Sequence, residues 1–269
     1  MIFSLLRSLL CFVVVFSLSS CVTNSYDSNS SIPVKNTKIL RVGITPDSPP
    51  IAYTMHGEIT GLEADFARGL AQFTGRQLRF VKLKWEDQIP ALLSGKIDII
   101  MSGMTITPAR SYRVAFCTPY MISGQVMLVR ARELPRFSNG PSDLFNTSIT
   151  IGTVKNTTGD FFIEQYVPRG KTIRFKKPEQ GVKALIKGDI NVFIYDLPMN
   201  FYFAAYNDIN GLAPVTIPIT REQIAWAVRT KNARLLQSAN AYLAGIKQNG
   251  KLKQMLIRWI PFFKNVLNR

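Results

Sequence analysis

Two nine-residue stretches constrain this chain more than its composition does. Ala91-Leu92-Leu93-Ser94-Gly95-Lys96-Ile97-Asp98-Ile99 is echoed 93 positions later, from Ala91 to Ala184, by Ala184-Leu185-Ile186-Lys187-Gly188-Asp189-Ile190-Asn191-Val192. Each reads as the end of an amphipathic helix, a glycine stop and a buried strand. One copy runs on into Ser102-Gly103 and the other into Tyr195-Asp196. Two similar α/β units would each deliver polar groups beyond the carboxyl end of a strand, where ligands settle in open α/β sheets. Two lobes facing one cleft explain the echo better than chance similarity of common α/β elements.

The stretch Asp98 to Arg110, DIIMSGMTITPAR, shows what the first copy carries. The apolar run Ile97 to Met101 reads as a buried strand. Ser102-Gly103, Thr105 and Thr107 make a small polar turn, and Pro108 fits the first position of a helix, where no N–H is needed. Arg110 then supplies a planar fork of donors suited to a carboxylate, although a surface ion pair would use the same side chain.

Around this stretch, Ile39 to Ile44 reads as a first strand and Thr45 to Pro50 as a rigid loop. Gly61 opens a helix with Glu63 and Asp65 near its N-terminus, where negative charge suits the dipole. Leu62, Phe66, Leu70 and Phe73 form its buried stripe. Leu78 to Leu83 is a strand, and a short helix after Trp85 turns Ile89, Leu92 and Leu93 inward. In the second unit Ser148 to Val154 is strand-like. Asn156-Thr157-Thr158-Gly159 leads into a helix whose first N–H groups could hold an anion, or be capped in the ordinary way. Leu197-Pro198 starts another helix, and Ile224 to Val228 is a returning strand. Helices Ala233 to Ile246 and Lys251 to Ile260 close the chain. Crossings near Ser123 to Val129 and near Pro218 to Gln223 would form a two-stranded hinge.

Composition narrows the function. Met1 to Ser20 carries Arg7, an apolar run from Leu9 to Phe16 and then small residues, the layout of a secretory signal. Leu18-Ser19-Ser20-Cys21 resembles the lipobox of bacterial lipoproteins, whose cysteine becomes the lipidated first residue. The Ser-, Asn- and Thr-rich stretch to residue 37 reads as a tether. The remaining ~230 residues suffice for one large core or two lobes. Cys117 is then the only cysteine of the folded part, which excludes an internal disulfide. His56 is the only histidine, which excludes His-based metal sites and Ser-His or Cys-His catalysis. The net charge of +16 comes from dispersed Lys and Arg without a basic, aromatic-interleaved stripe. It fits a solvated surface near an anionic bilayer, not a nucleic-acid site.

Together RVGITPDSPP, GLEADFARGLAQ, WEDQIPALLSGKIDIIMSGMTITPAR, TPYMISGQVMLV and IKQNGKLKQMLIRW resemble the family 3 extracellular solute-binding proteins, from Leu40 to Trp259. The resemblance implies an α/β, two-lobed periplasmic-binding-protein-like fold of type II, with lobes joined by two hinge strands and a ligand in the cleft between them. The expected division is signal 1–20, lipidated N-terminus and tether 21–37, lobe 1 from 38–126 plus 221–269, and lobe 2 from 127–220. The implied function is capture of an amino acid for the permease of an ABC importer, by a lipid-anchored monomer in the periplasm or at the cell surface. No cofactor, metal or catalytic residue is implied.

Residue by residue, the resemblance implies that Arg110 grips the ligand's α-carboxylate and Asp196 its α-ammonium. Ser102 and Gly103 would offer main chain, Thr105 its hydroxyl, and Thr157 and Thr158 their amides. Trp85 would form a wall against the side chain. Thr45 stands where many relatives have an acid that reads cationic side chains, which disfavours arginine or lysine. Ser48 replaces an aromatic, and Lys155 could favour an acidic side chain or simply face solvent. Two alternatives are a dehydratase of the cyclohexadienyl or arogenate type, which needs a general acid in the cleft, and a sensor or surface antigen without transport. Asp160 and Glu164 read as surface charges of their helix, not as that acid.

Overall fold

The computed structural model describes residues 38–266 except 208 and 210. The expected signal, Cys21 and the tether lie outside the described residues. The chain starts with β1 (Ile39–Ile44), whose buried positions are filled by Leu40, Val42 and Ile44. Within the loop predicted over Thr45 to Pro50 lies β2 (Asp47–Ser48), which pairs antiparallel with β3 (Ala52–Met55), and β3 with β4 (Glu58–Thr60), in a small meander. His56, at φ 51, forms its turn with Gly57.

α1 (Leu62–Phe73) buries Leu62, Phe66 and Leu70. Phe73 departs from the expected stripe: it is 56% exposed and leans on the Tyr242 ring 5.8 Å away. β5 (Gln77–Lys82) and α2 (Gln88–Leu93) follow. Leu93 is also exposed rather than inward, because this six-residue helix fills its inner side with Gln88, Ala91 and Leu92. β6 (Ile99–Ile100), α3 (Pro108–Ser111) and β7 (Ala115–Phe116) complete the first passage.

The chain crosses through β8 (Met121–Ser123) into β9 (Gln125–Arg130). The second unit adds β10 (Thr150–Val154), α4 (Thr158–Tyr166), β11 (Lys171–Phe175), α5 (Pro178–Lys187), β12 (Val192–Asp196), α6 (Leu197–Tyr206) and β13 (Leu212–Pro214). The return passes through β14 (Glu222–Ile224) to β15 (Ala227–Val228). The single strand expected over Ile224 to Val228 is therefore split. Ile224 pairs with Met121 between the sheets, whereas Ala227 pairs with Ile100 inside the first sheet. Between them the Trp226 ring, fully buried, stacks on Tyr120. α7 (Ala233–Gln248), α8 (Lys251–Trp259) and α9 (Phe263–Val266) end the described chain, and α7 and α8 pack on α1.

The two principal sheets share one plan. Their strand orders are β5-β1-β6-β15-β7 and β11-β10-β12-β9-β13. In each, three parallel strands continue into antiparallel ones. The echoed stretches lead into β6 and β12, the middle strand of each order. Each is preceded by a glycine with positive φ, Gly95 at 78° and Gly188 at 90°, which ends the helix in the left-handed region open to glycine. Asp98 fastens the first copy. Burial alone would raise its carboxyl, but Arg41 bonds both oxygens, at 3.0 and 2.6 Å, and holds it below the usual range. Between the sheets β8 and β14 form an antiparallel ribbon that pairs Glu222 with Ser123. No helix among the described residues is long and apolar enough to cross a membrane.

Candidate ligand site between the lobes

The ten residues expected to face a ligand all line one cavity. The turn after β6 supplies the first wall. Thr107 caps α3, its Oγ1 accepting from the Arg110 amide at 3.3 Å. Arg110 is 9% exposed. Its Nη1 donates to the Thr105 carbonyl at 2.9 Å, and its guanidinium carbon lies 5.2 Å from the Trp85 ring centroid. Burial lowers its pKa, while the charges of Asp196 and Glu222 work the other way. Gly103, at φ 67, donates its amide to Glu63 Oε1 at 2.7 Å.

Glu63 sits in the first turn of α1, as expected, and is a fully buried acceptor. Besides Gly103 it receives Tyr120 OH at 2.9 Å and the Trp226 indole N–H at 2.8 Å. Burial pushes its carboxyl up to about 7 against these three bonds. A second buried side chain, Gln88, ties the ends of β1 and β6 together. Its Nε2 donates to Thr45 Oγ1 at 2.8 Å and to Ser102 Oγ at 3.2 Å, while the Thr45 amide donates to Ser102 Oγ at 2.8 Å. The hydroxyls of Thr45 and Ser102 are thus bound into the wall.

The second wall comes from α4 and β12. Thr157 caps α4 and turns both its amide and its hydroxyl to the Val154 carbonyl. Asp160 is a correction: it is buried, accepting from Thr153 Oγ1 and Asn156 N and pairing with Arg174 at 2.7 Å. Glu164 is exposed, as expected. Gln125 Nε2 donates to Asp196 Oδ1 at 2.8 Å and to Thr158 Oγ1 at 3.0 Å. Burial, and next the nearby Glu222 charge, push the Asp196 carboxyl up to about 7; Gln125 and Arg110 act against them.

The walls also touch. Trp85 Nε1 donates to the Asn156 carbonyl at 2.9 Å, and the Ser48 hydroxyl meets Tyr195 OH at 3.0 Å. The space they enclose is about 30 Å³, and the Trp85–Arg110 stack lies within its lining. An amino acid needs more room than one water occupies, so entry requires the walls to part. Beyond Arg110 and Thr158 the cleft widens into a groove of about 970 Å³ bordered by Arg113, Phe161 and Phe162. Sequence reading missed Glu63, Gln88, Gln125, Tyr195 and Glu222, and also Asp47, which borders the enclosed space. Only Tyr195 carried a signal, by its place beside Asp196 just beyond the echoed stretch.

The model of one family matches residues 40–262: bacterial extracellular solute-binding proteins, family 3. The chain belongs to that family. Among its relatives is ABC transporter arginine-binding protein 1 of Escherichia coli K12, 28% identical over 228 residues, covering 82% of this chain and 90% of the relative. The L-cystine-binding protein TcyJ of the same organism is 26% identical over 228 residues, 84% of each chain. A solved binding component of an ABC transporter from Wolinella succinogenes, complexed with lysine, has TM-score 0.79 and 30% identity over 82% of this chain and 95% of that one. That solved chain shares the two-lobed α/β fold described above.

Proposed function

We propose that this family 3 protein captures an amino acid between its lobes and passes it to the permease of an ABC importer. One observation carries the reading: a buried guanidinium, Arg110, and a carboxylate, Asp196, line one cavity from opposite walls and act on each other electrostatically. A zwitterion leaving water needs both of its charges paired, and this cavity offers one partner for each. Ser102, Gly103, Thr105, Thr157 and Thr158 shape the head-group pocket, and Trp85, Thr45 and Ser48 face the side chain. Lobe 1 is taken as 38–126 plus 221–269 and lobe 2 as 127–220, with the β8–β14 ribbon as the hinge. Only a closed complex brings both walls onto the ligand, so binding shifts the population towards closure. The chain acts as a binding protein and monomer, not as an enzyme, anchored through lipid on Cys21.

Thr45 lacks the acid that would read a cationic side chain, but Asp47 borders the same space. Burial raises its carboxyl above the ordinary value, as expected for an acid drawn out of water. That acid supports a ligand whose side chain carries N–H donors. The test is a thermal-shift screen of the protein against every protein amino acid, since a tight ligand raises stability by mass action. A rise confined to one or a few amino acids is expected. A flat panel favours the sensor, surface-antigen or dehydratase alternatives.

A further inference from the structure

Glu222 reaches the cleft from β14, the returning strand of the crossing ribbon, and is 7% exposed. Its Oε2 accepts the Thr105 hydroxyl at 2.6 Å from the first wall and the Thr158 hydroxyl at 3.0 Å from the second. Its Oε1 accepts the Thr220 hydroxyl at 2.7 Å. A hydroxyl has one proton and two lone pairs. With their protons committed to Glu222, Thr105 Oγ1 and Thr158 Oγ1 offer only lone pairs to anything else. Thr158 already receives Gln125 Nε2, the nitrogen that also donates to Asp196. The side of the cleft beside Asp196 is therefore a set of acceptors backed by two carboxylates.

We propose that Glu222 is a positioning residue of the ammonium subsite. It turns Thr105 and Thr158 into obligate acceptors and adds a second negative charge behind Asp196, so the cleft selects a ligand with a cationic α-amino group over its des-amino counterpart. This rests on the reading of the cleft as an amino-acid site. The charged groups facing Glu222 are Arg110 from α3 and Asp196 from β12. Those facing Asp196 are Glu222 and Arg110, together with the phenols of Tyr120 and Tyr195, which burial keeps protonated first, with Glu63 next for Tyr120 and Asp196 next for Tyr195. Asp196 must be ionised to meet an ammonium group. Removing the Glu222 charge eases that ionisation, so the loss of affinity on acidification should begin at lower pH.

The experiment is calorimetric titration of the full chain and of Glu222→Gln from about pH 5.5 to about pH 8.5. The probes are the protein L-amino acids and the des-amino acid of each one that binds. We expect Glu222→Gln to bind the amino acid about tenfold more weakly at the upper pH, with little change for the des-amino acid. We also expect its acid limb to move to lower pH. A carboxylate that merely braced the ribbon would move neither the selectivity nor the limb, so an unchanged ratio with an unchanged limb overturns the proposal. If Glu222→Gln does not fold, Glu222→Asp takes its place. Its shorter arm keeps the charge but withdraws from the two threonines, so selectivity should fall while the limb stays, and retained selectivity overturns the proposal. Failure of the unaltered chain to bind any amino acid would instead defeat the underlying reading.

Discussion

The indole N–H of Trp85 donates to the main-chain oxygen of Asn156 at 2.9 Å, joining the segment before α2 to the turn before α4 across the cleft. Asn156 aims that oxygen from the left-handed region, at φ 62. Trp85→Phe keeps a ring for Arg110 and removes the donor. Because Asn156 is exposed, water replaces the bond, and the loss should be about 0.5–1.5 kcal/mol of closure. Titration should show a two- to tenfold weaker amino-acid affinity by that conversion. Solution scattering should show a more open chain, and identical affinity and dimensions would dismiss the cross-cleft role.

Arg110→Ala should abolish amino-acid binding and leave the fold intact. The substitution leaves the ligand carboxylate unpaired opposite two acidic residues, a loss of roughly 3–5 kcal/mol. Arg110→Lys should recover little of it, since an ammonium group cannot reproduce the planar fork. Calorimetry beside a melting curve separates lost binding from lost folding.

Glu63 should leave a trace in the pH dependence of stability. Its folded value, about 7, lies above the ordinary 4.5. Its contribution is therefore present below the ordinary value and is lost as pH rises through about 7. Asp196 has the same sign over the window from 3.8 to about 7. Glu63→Gln should flatten the fall of melting temperature across this range without abolishing it. It should also cost about 1–3 kcal/mol, because its amide must face a donor from either Gly103 and Tyr120 or Trp226. Thermal melts at a series of pH values decide.

Gly124 sets the closeness of the two crossings. A Cβ there would lie 2.0 Å from the Thr220 carbonyl oxygen, and backbone on both sides leaves little to yield. Gly124→Ala should destabilise the chain by about 1–3 kcal/mol. It should also weaken amino-acid binding, because Thr220 holds Glu222 and the Gln125 amide. A variant with unaltered melting and binding would show that the crossings have room to spare.

The central strands were legible because each is a local pattern. A helix end, a glycine stop and an apolar run within nine residues suffice to mark β6 and β12. The supports of the site are not local. Thr105 meets Glu222 across 117 residues and Glu63 meets Trp226 across 163. Nothing in the neighbourhood of Glu222 in sequence distinguishes it from a surface acid. The same blindness placed Asp160 on a helix surface and left the burial of Glu63 unforeseen, since buried carboxylates become intelligible only once their donors are known. Phe73 failed for the opposite reason: periodicity gives the side of a helix, not where the covering elements stop.

The chain contains three tryptophans, and they sit in unlike surroundings. Trp226 is sealed in the core beside Glu63, and Trp259 donates its indole N–H to Asp65 at 2.8 Å. Trp85 alone bonds across the boundary that must open. Its emission should shift as the walls part and return as they close on a guest, over a steady background from the other two. Capture can then be timed by light, with no dye attached.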